Sequence, residues 1–162
     1  MSHDWRLVAL KHTDPSRLIS IATECEPFVR PRTESDYWLY GRLFSTTCGA
    51  IVEASDAVAF IVAFRSQDDP DELYIQDVAV GRDFRRRGYG HALVEDVLNT
   101  AMTWGVTRVW LTSEPENAAA RHTWSRLGFM NLPADRQIDG LWVTANLKGP
   151  GRDRAVFERR LR

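Results

Sequence analysis

Leu73-Tyr74-Ile75-Gln76-Asp77-Val78-Ala79-Val80-Gly81-Arg82-Asp83-Phe84-Arg85-Arg86-Arg87-Gly88-Tyr89-Gly90-His91-Ala92-Leu93 is the stretch that decides how this chain folds. A β-branched strand, a basic turn with glycines and the start of a helix follow one another without a gap. The hydrophobic period lengthens there: Leu93, Val94, Val97, Leu98 and Ala101 fall at helical spacing, Glu95, Asp96 and Asn99 lie opposite, and Gly105 closes the segment. Gly88 and Gly90 let backbone N–H groups approach an anion closely, and the helix amino terminus adds partial positive charge, so a pyrophosphate fits the turn. Glycines also commonly just end strands, and the turn alone does not decide between these readings. A P-loop needs Gly-Lys-Ser/Thr, which is absent, and a Rossmann fingerprint needs a third glycine where Leu93 stands.

Upstream, Trp5 to Leu10 reads as a strand, and Thr13-Asp14-Pro15 caps a helix that runs to about Glu24. A loop containing Pro27 and Pro31 leads to a second short helix marked by Tyr37, Tyr40, Leu43 and Phe44. Gly49 to Glu53 and Ala57 to Phe64 form a hairpin around Ala54-Ser55-Asp56, and Leu73 to Val80 adds a third strand to it. Downstream come a strand from Val106 to Thr112, a helix from Asn117 to Leu127 closed by Gly128, and closing strands over Leu141 to Leu147 and Arg154 to Leu161. The order is βααβββαβαββ: an α/β chain with a mixed, mostly antiparallel central sheet flanked by helices. At 162 residues it is expected to form a single domain, residues 1–162.

Apolar residues make up 44% and charged residues 27%, ordinary for a globular protein. A formal net charge of -1 gives no global attraction to nucleic acid or to an anionic membrane, so any anion site must be local. The amino-terminal Met-Ser-His-Asp-Trp-Arg lacks the blocks of a signal peptide, and the longest apolar run is too short to span a bilayer, which leads us to expect a cytoplasmic protein. No His or Cys pattern has metal-ligand spacing, so no metal is expected. Lys11 and Lys148 are the only lysines, which makes a lysine nucleophile improbable.

The chain resembles the GNAT superfamily of N-acetyltransferases. Its signature Arg/Gln-x-x-Gly-x-Gly/Ala is matched by Arg85, Gly88 and Gly90 after the Val-Ala-Val strand end. A second landmark, an Asn-led helix ending in Leu-Gly-Phe, is matched by Asn117 through Leu127-Gly128-Phe129. The resemblance implies acetyl-CoA as co-substrate: backbone groups of Val78, Ala79 and Val80 along the pantetheine arm, Arg85, Arg86, Arg87, Gly88, Tyr89, Gly90 and His91 around the pyrophosphate, and Asn117 and Trp124 beside the cofactor. A backbone N–H near Val78 would stabilise the developing oxyanion. From about Ala22 to Asn117 the resemblance narrows to the diaminobutyrate acetyltransferases of ectoine biosynthesis. It is carried by Glu24-Cys25-Glu26-Pro27, by Tyr37-Trp38-Leu39-Tyr40 leading to Phe44-Ser45-Thr46-Thr47-Cys48, and by Arg65 with Asp69-Pro70-Asp71. Gln76-Asp77 departs from the subgroup's Trp-Gln, so only the small amino-acid or diamine acceptor class is carried over. The resemblance also leads us to expect a homodimer.

Direct transfer needs a neutral amine, so a carboxylate or a water chain must take its proton. Asp77, just before the reactive strand end, is the first candidate. Glu72 begins that strand and Glu114 ends the next; these carboxylates either serve the acceptor or are simply solvated. Tyr37 and Tyr40 form either an acceptor pocket wall or part of the core. Many family members place a Tyr acid where this chain has Trp124, which donates a hydrogen bond but is no useful acid. The rival readings are acetylation of a protein amine and a catalytically silent acyl-CoA-binding module.

Overall fold

Ala57 to Phe64 is apolar at every position, so a strand built from it must be covered on both faces. The computed structural model, which describes residues 4–162, meets that demand with helices on either side; Met1 to His3 of the amino-terminal stretch read above lie outside the described residues. The strands β1 (Trp5–Ala9), β2 (Gly49–Glu53), β3 (Asp56–Arg65) and β4 (Glu72–Val80) run antiparallel in sequence order. β5 (Arg108–Ser113) then pairs parallel to β4 through the crossover helix α3 (Tyr89–Thr103). Helices α1 (Pro15–Thr23) and α2 (Glu34–Leu43) cover the other face, and α4 (Ala118–Arg126) follows β5. Ala59, Ile61 and Ala63 of β3 pack in the cluster with Leu93, Val97 and Leu98 of α3, while Phe60 and Val62 join Leu18, Ile21 and Tyr37 of α1 and α2. No helix of the described residues is long and apolar enough to cross a membrane.

Local chemistry sets the helix ends. Asp14 accepts the Ser16 N–H at 3.0 Å ahead of Pro15. Thr33 and Asp36 form a reciprocal capping box on α2. Asn117 accepts the Ala120 N–H at 3.1 Å and caps α4.

The second expected closing strand is present as β9 (Ala155–Arg160), and the first, Leu141 to Leu147, needs correction. Only Leu141–Val143 (β8) is strand, paired with β7 (Arg136–Ile138) in a separate ribbon, while β9 (Ala155–Arg160) inserts between β5 and the short β6 (Met130–Asn131). The segment stops because Asp135 and Asp153 take the backbone N–H groups of Ala145 and Asn146, the latter at φ 55°. The Asn131 side chain ties β6 to Trp142 and Val156 by three hydrogen bonds of 2.8 to 3.1 Å.

One irregularity matters most. The β3–β4 register slips between Val62 paired with Asp77 and Ala63 paired with Ile75, which leaves Gln76 as a bulge. Before it, Leu73 and Ile75 face α3; after it, Val78 and Val80 do, and Asp77 and Ala79 turn to the α1/α2 face. Deleting Gln76 removes the extra residue and leaves Asp77 and Val78 on their present faces, so it should cost no more than about 2 kcal/mol, the loss of the local twist, while Gln76→Ala should stay within about 1 kcal/mol. Urea unfolding followed by circular dichroism compares the two; a loss of more than about 4 kcal/mol on deletion would mean that the faces depend on more than the extra residue.

Candidate active site

The parallel pairing of β4 with β5 stops at Ile75 and Leu111, so the strands part and the carboxyl half of β4 has an open edge. Backbone alternation says which groups line it. Gly81 donates its N–H to Val58 on β3 at 2.8 Å, so the backbone groups of Ala79 and Asp77 also turn toward β3, and those of Val78 and Val80 face the gap. This corrects the expectation for Ala79, whose own N–H and C=O belong to the sheet. The Val80 carbonyl already accepts from Arg85 Nε at 3.3 Å and from Cys25 Sγ at 3.5 Å. Val78 is left as the gap-facing residue with its amide available, the position expected of an oxyanion donor.

Beyond β4 the turn wraps into α3. Arg86 at φ 62° and Gly88 at φ 82° bend the chain so that the first amides of α3 point outward, and a Cβ on Gly88 would meet nothing within 4 Å. Such a cradle, open and at a helix amino terminus, fits a pyrophosphate. Gly90 lies over Val78 and Val80, with 3.7 Å from a notional Cβ to the nearest methyl, which is ordinary contact.

The side chains of this turn do other work than the sequence suggests. Arg85 holds the carbonyl of Glu24 at 2.9 Å, and Glu24 accepts the Arg82 N–H at 2.6 Å, so the end of α1 is bound to the cofactor turn. Arg87 stacks on Phe84 and pairs with Glu53 at 3.3 Å. Tyr89 is 3% exposed and donates its hydroxyl to Glu53, so only its amide can serve a ligand. Arg86 and His91 are exposed at the turn. Trp124 packs edge-on to Phe129 in the apolar cluster under α3, a core role in place of the expected cofactor contact. The Asn117 oxygen is occupied as a helix cap, which leaves its amide nitrogen for a ligand.

On the α1/α2 face Asp77 is 7% exposed and lies 3.4 Å from Arg32. Burial raises its carboxyl above the ordinary carboxylate value, against the lowering influence of Arg32 and, more weakly, Lys148; Glu114 adds a further upward push. Tyr37 is buried against Phe60 and Tyr40, and its hydroxyl accepts the Arg32 backbone N–H at 3.3 Å. The Tyr37 ring is core, and its hydroxyl fixes the loop that carries Arg32. Tyr40 packs on Phe64 and also sits within the field of Asp77 and Arg32. Glu114, at the end of β5, is paired with Arg154 at 3.3 Å. Glu72 does not belong here. It begins β4, at the far end from Asp77, where Arg108 binds it at 2.8 Å. Sequence reasoning missed Arg32, Tyr74 and Lys148; Lys148 donates to the Tyr74 hydroxyl at 2.8 Å, and that hydroxyl also bonds Thr112 at 3.0 Å. The one sequence signal was that Lys148 is one of only two lysines.

A bulged central strand, a gap beside its parallel neighbour and an amide cradle at the next helix define an acyl-CoA transferase type of fold. The chain belongs to the Acetyltransferase (GNAT) family, whose model matches residues 16–129. It is 32% identical over 84 residues to the L-2,4-diaminobutyric acid acetyltransferase of Nocardia farcinica, covering 52% of this chain and 44% of that protein. It is 41% identical over 59 residues to the ribosomal protein bS18-alanine N-acetyltransferase of Salmonella typhimurium, covering 36% of this chain and 40% of the relative. The matched stretches thus span less than half the length of both relatives. The diaminobutyrate acetyltransferase from Paenibacillus lautus, solved with L-2,4-diaminobutyric acid and coenzyme A, superposes with a TM-score of 0.73 at 24% identity, over 96% of this chain and 92% of that one.

Gly88→Val should weaken coenzyme A binding at least about tenfold, since it strains a left-handed residue and fills the cradle. Gly90→Ala should bind within about threefold of the unsubstituted protein, its methyl meeting only ordinary contacts. Titration calorimetry with coenzyme A measures both.

Proposed function

We propose that this protein transfers an acetyl group from acetyl-CoA to the primary amine of a small amino acid or diamine. The observation that supports this reading is the buried Asp77 on a strand that loses its parallel neighbour after Ile75, next to Val78 and leading into the open Gly88 turn. Acetyl-CoA supplies the activated acyl thioester. The cradle amides bind its pyrophosphate, and the Val78 N–H polarises the acyl oxygen. The acceptor nitrogen forms a bond to the acyl carbon as the C–S bond breaks and the thiolate departs. Asp77 or a water next to it takes the proton from nitrogen; its raised pKa places it nearer the operating pH than an ordinary aspartate. With Trp124 in the core, the thiolate takes its proton from solvent. A homodimer and a cytoplasmic location belong to the same proposal.

The similarity to a ribosomal-protein alanine acetyltransferase favours a second reading, transfer to a peptide amino terminus. Against it, the segment from Glu24 to Thr33 is fastened beside Asp77 by Arg85, Tyr37 and the Arg32–Asp77 pair.

Acetyl-CoA-dependent release of free thiol across diamines, amino acids and amino-terminal peptides tests both. Turnover should appear on a small amine, and Asp77→Asn should lower kcat at least about a hundredfold while coenzyme A affinity stays within about threefold. Turnover confined to peptides would replace the first reading by the second. Arg32→Gln removes the nearest cation, so the Asp77 carboxyl should titrate higher and the acidic limb of the kcat/KM profile should move to higher pH.

A further inference from the structure

We infer that Arg32, together with Lys148, is a carboxylate clamp, so that the acceptor is an amine that itself carries a carboxylate. This inference rests on the acetyl-transfer reading and narrows it.

Three observations lead there. The first is an unsatisfied donor: among the described residues, the buried side-chain nitrogen and oxygen atoms without a hydrogen-bond partner are Arg32 Nε and Trp110 Nε1. Buried donors are nearly always paired, so an orphan on a guanidinium in a candidate acceptor site marks a place for an acceptor atom. Trp110 sits in register with Tyr74 on β5, and their rings are in contact at 4.6 Å between centroids.

The second is a slack ion pair. Arg32 approaches Asp77 through one nitrogen at 3.4 Å, whereas a closed guanidinium–carboxylate contact is shorter and often two-pronged. The fork is therefore not used up by Asp77. A guanidinium offers the planar donor pair that a carboxylate matches.

The third is the charge balance. Asp77 feels Arg32 and Lys148 as cations, and the other carboxylate in its field, Glu114, is held by Arg154 at 3.3 Å. Lys148 makes no ion pair among the described residues and donates only to the Tyr74 hydroxyl while lying over its ring. Asp36 also lies in the Arg32 field, but its carboxylate is spent on the Thr33 backbone and hydroxyl in the α2 cap. The Arg32 fork and the Lys148 ammonium are therefore left without a closed carboxylate partner. A carboxylate on the acceptor closes both contacts and leaves Asp77 for the amine, which a plain diamine cannot do.

The test uses matched pairs that differ only in the carboxylate: 2,4-diaminobutyrate against 1,3-diaminopropane, and ornithine against putrescine. For the intact protein with saturating acetyl-CoA, kcat/KM by thiol release should favour the carboxylated member of at least one pair by at least about thirtyfold, the worth of a charge-assisted hydrogen bond. In Arg32→Gln and, separately, in Lys148→Met, that preference should fall at least about tenfold, and Arg32→Lys should recover part of it. Lys148 is exposed, so its replacement tests the clamp even where Arg32→Gln fails to fold. Equal rates within every pair, or a preference that survives both replacements, overturns the clamp and leaves the transferase reading standing. Calorimetry on the coenzyme A complex separates the two readings further. Tighter binding of the carboxylated members without turnover supports the clamp and sinks the transfer reading; binding of neither member sinks both.

Discussion

Everything functional in this fold depends on β4 keeping its hydrogen bonds to β3 along its length while losing β5 halfway. Unpaired backbone groups in the interior are costly, so a central strand does not shed a neighbour without compensation. Here the Val80 carbonyl finds Arg85 and Cys25, Gly81 returns to β3, and the Val78 groups remain at an open edge. The Gln76 bulge is what allows this. It adds local twist, which carries the second half of β4 away from β5, and it exchanges the faces of the side chains that follow. Without the exchange Asp77 would lie under α3 and a valine would face α1 and α2.

The same exchange explains why a carboxylate is tolerated at a buried position of a central strand. Arg32, reaching in from the loop between α1 and α2, attracts Asp77 by about 5 kcal/mol at 3.4 Å with an effective dielectric near 20. Desolvating the two ions costs several kcal/mol each, less for Arg32 because it is 31% exposed. The terms nearly cancel. The pair therefore adds little to stability, and burial prevails over the cation in setting the direction in which Asp77 titrates.

What the sequence made legible follows from periodicity and local chemistry. The apolar β3, the strand ending in Val78-Ala79-Val80 and the glycines of the turn all act through near neighbours, and they were readable together with Asp77. Arg32 was not, because its significance comes from a contact 45 residues away and the loop that holds it has no period. Glu72 and Asp77 look alike in a linear reading since they share a strand; only pairing shows that they stand at its opposite ends. β6 has two residues, too few for any alternation to register. Tyr89 keeps only its amide for a ligand, for the converse reason. A helix start exposes its amides while its side chains can still turn inward, and the phenol went to Glu53.

The two faces of β4 therefore separate two tasks that evolution can tune independently. In the proposed reaction Val78, Gly88 and the start of α3 serve the cofactor through backbone groups that tolerate wide change in side chains. Arg32, Asp77, Tyr74 and Lys148 are the residues proposed for the acceptor, and two of them sit on loops, between α1 and α2 and between β8 and β9. Loop residues change without disturbing the sheet. A chain of this family can thus keep its cradle and still exchange one amine for another, which is how similarity to both a diaminobutyrate enzyme and a ribosomal-protein enzyme can coexist in one sequence. On the proposed reading specificity is decided by the charge on the acceptor loops rather than by the fold, and in this chain Arg32 and Lys148 carry that charge.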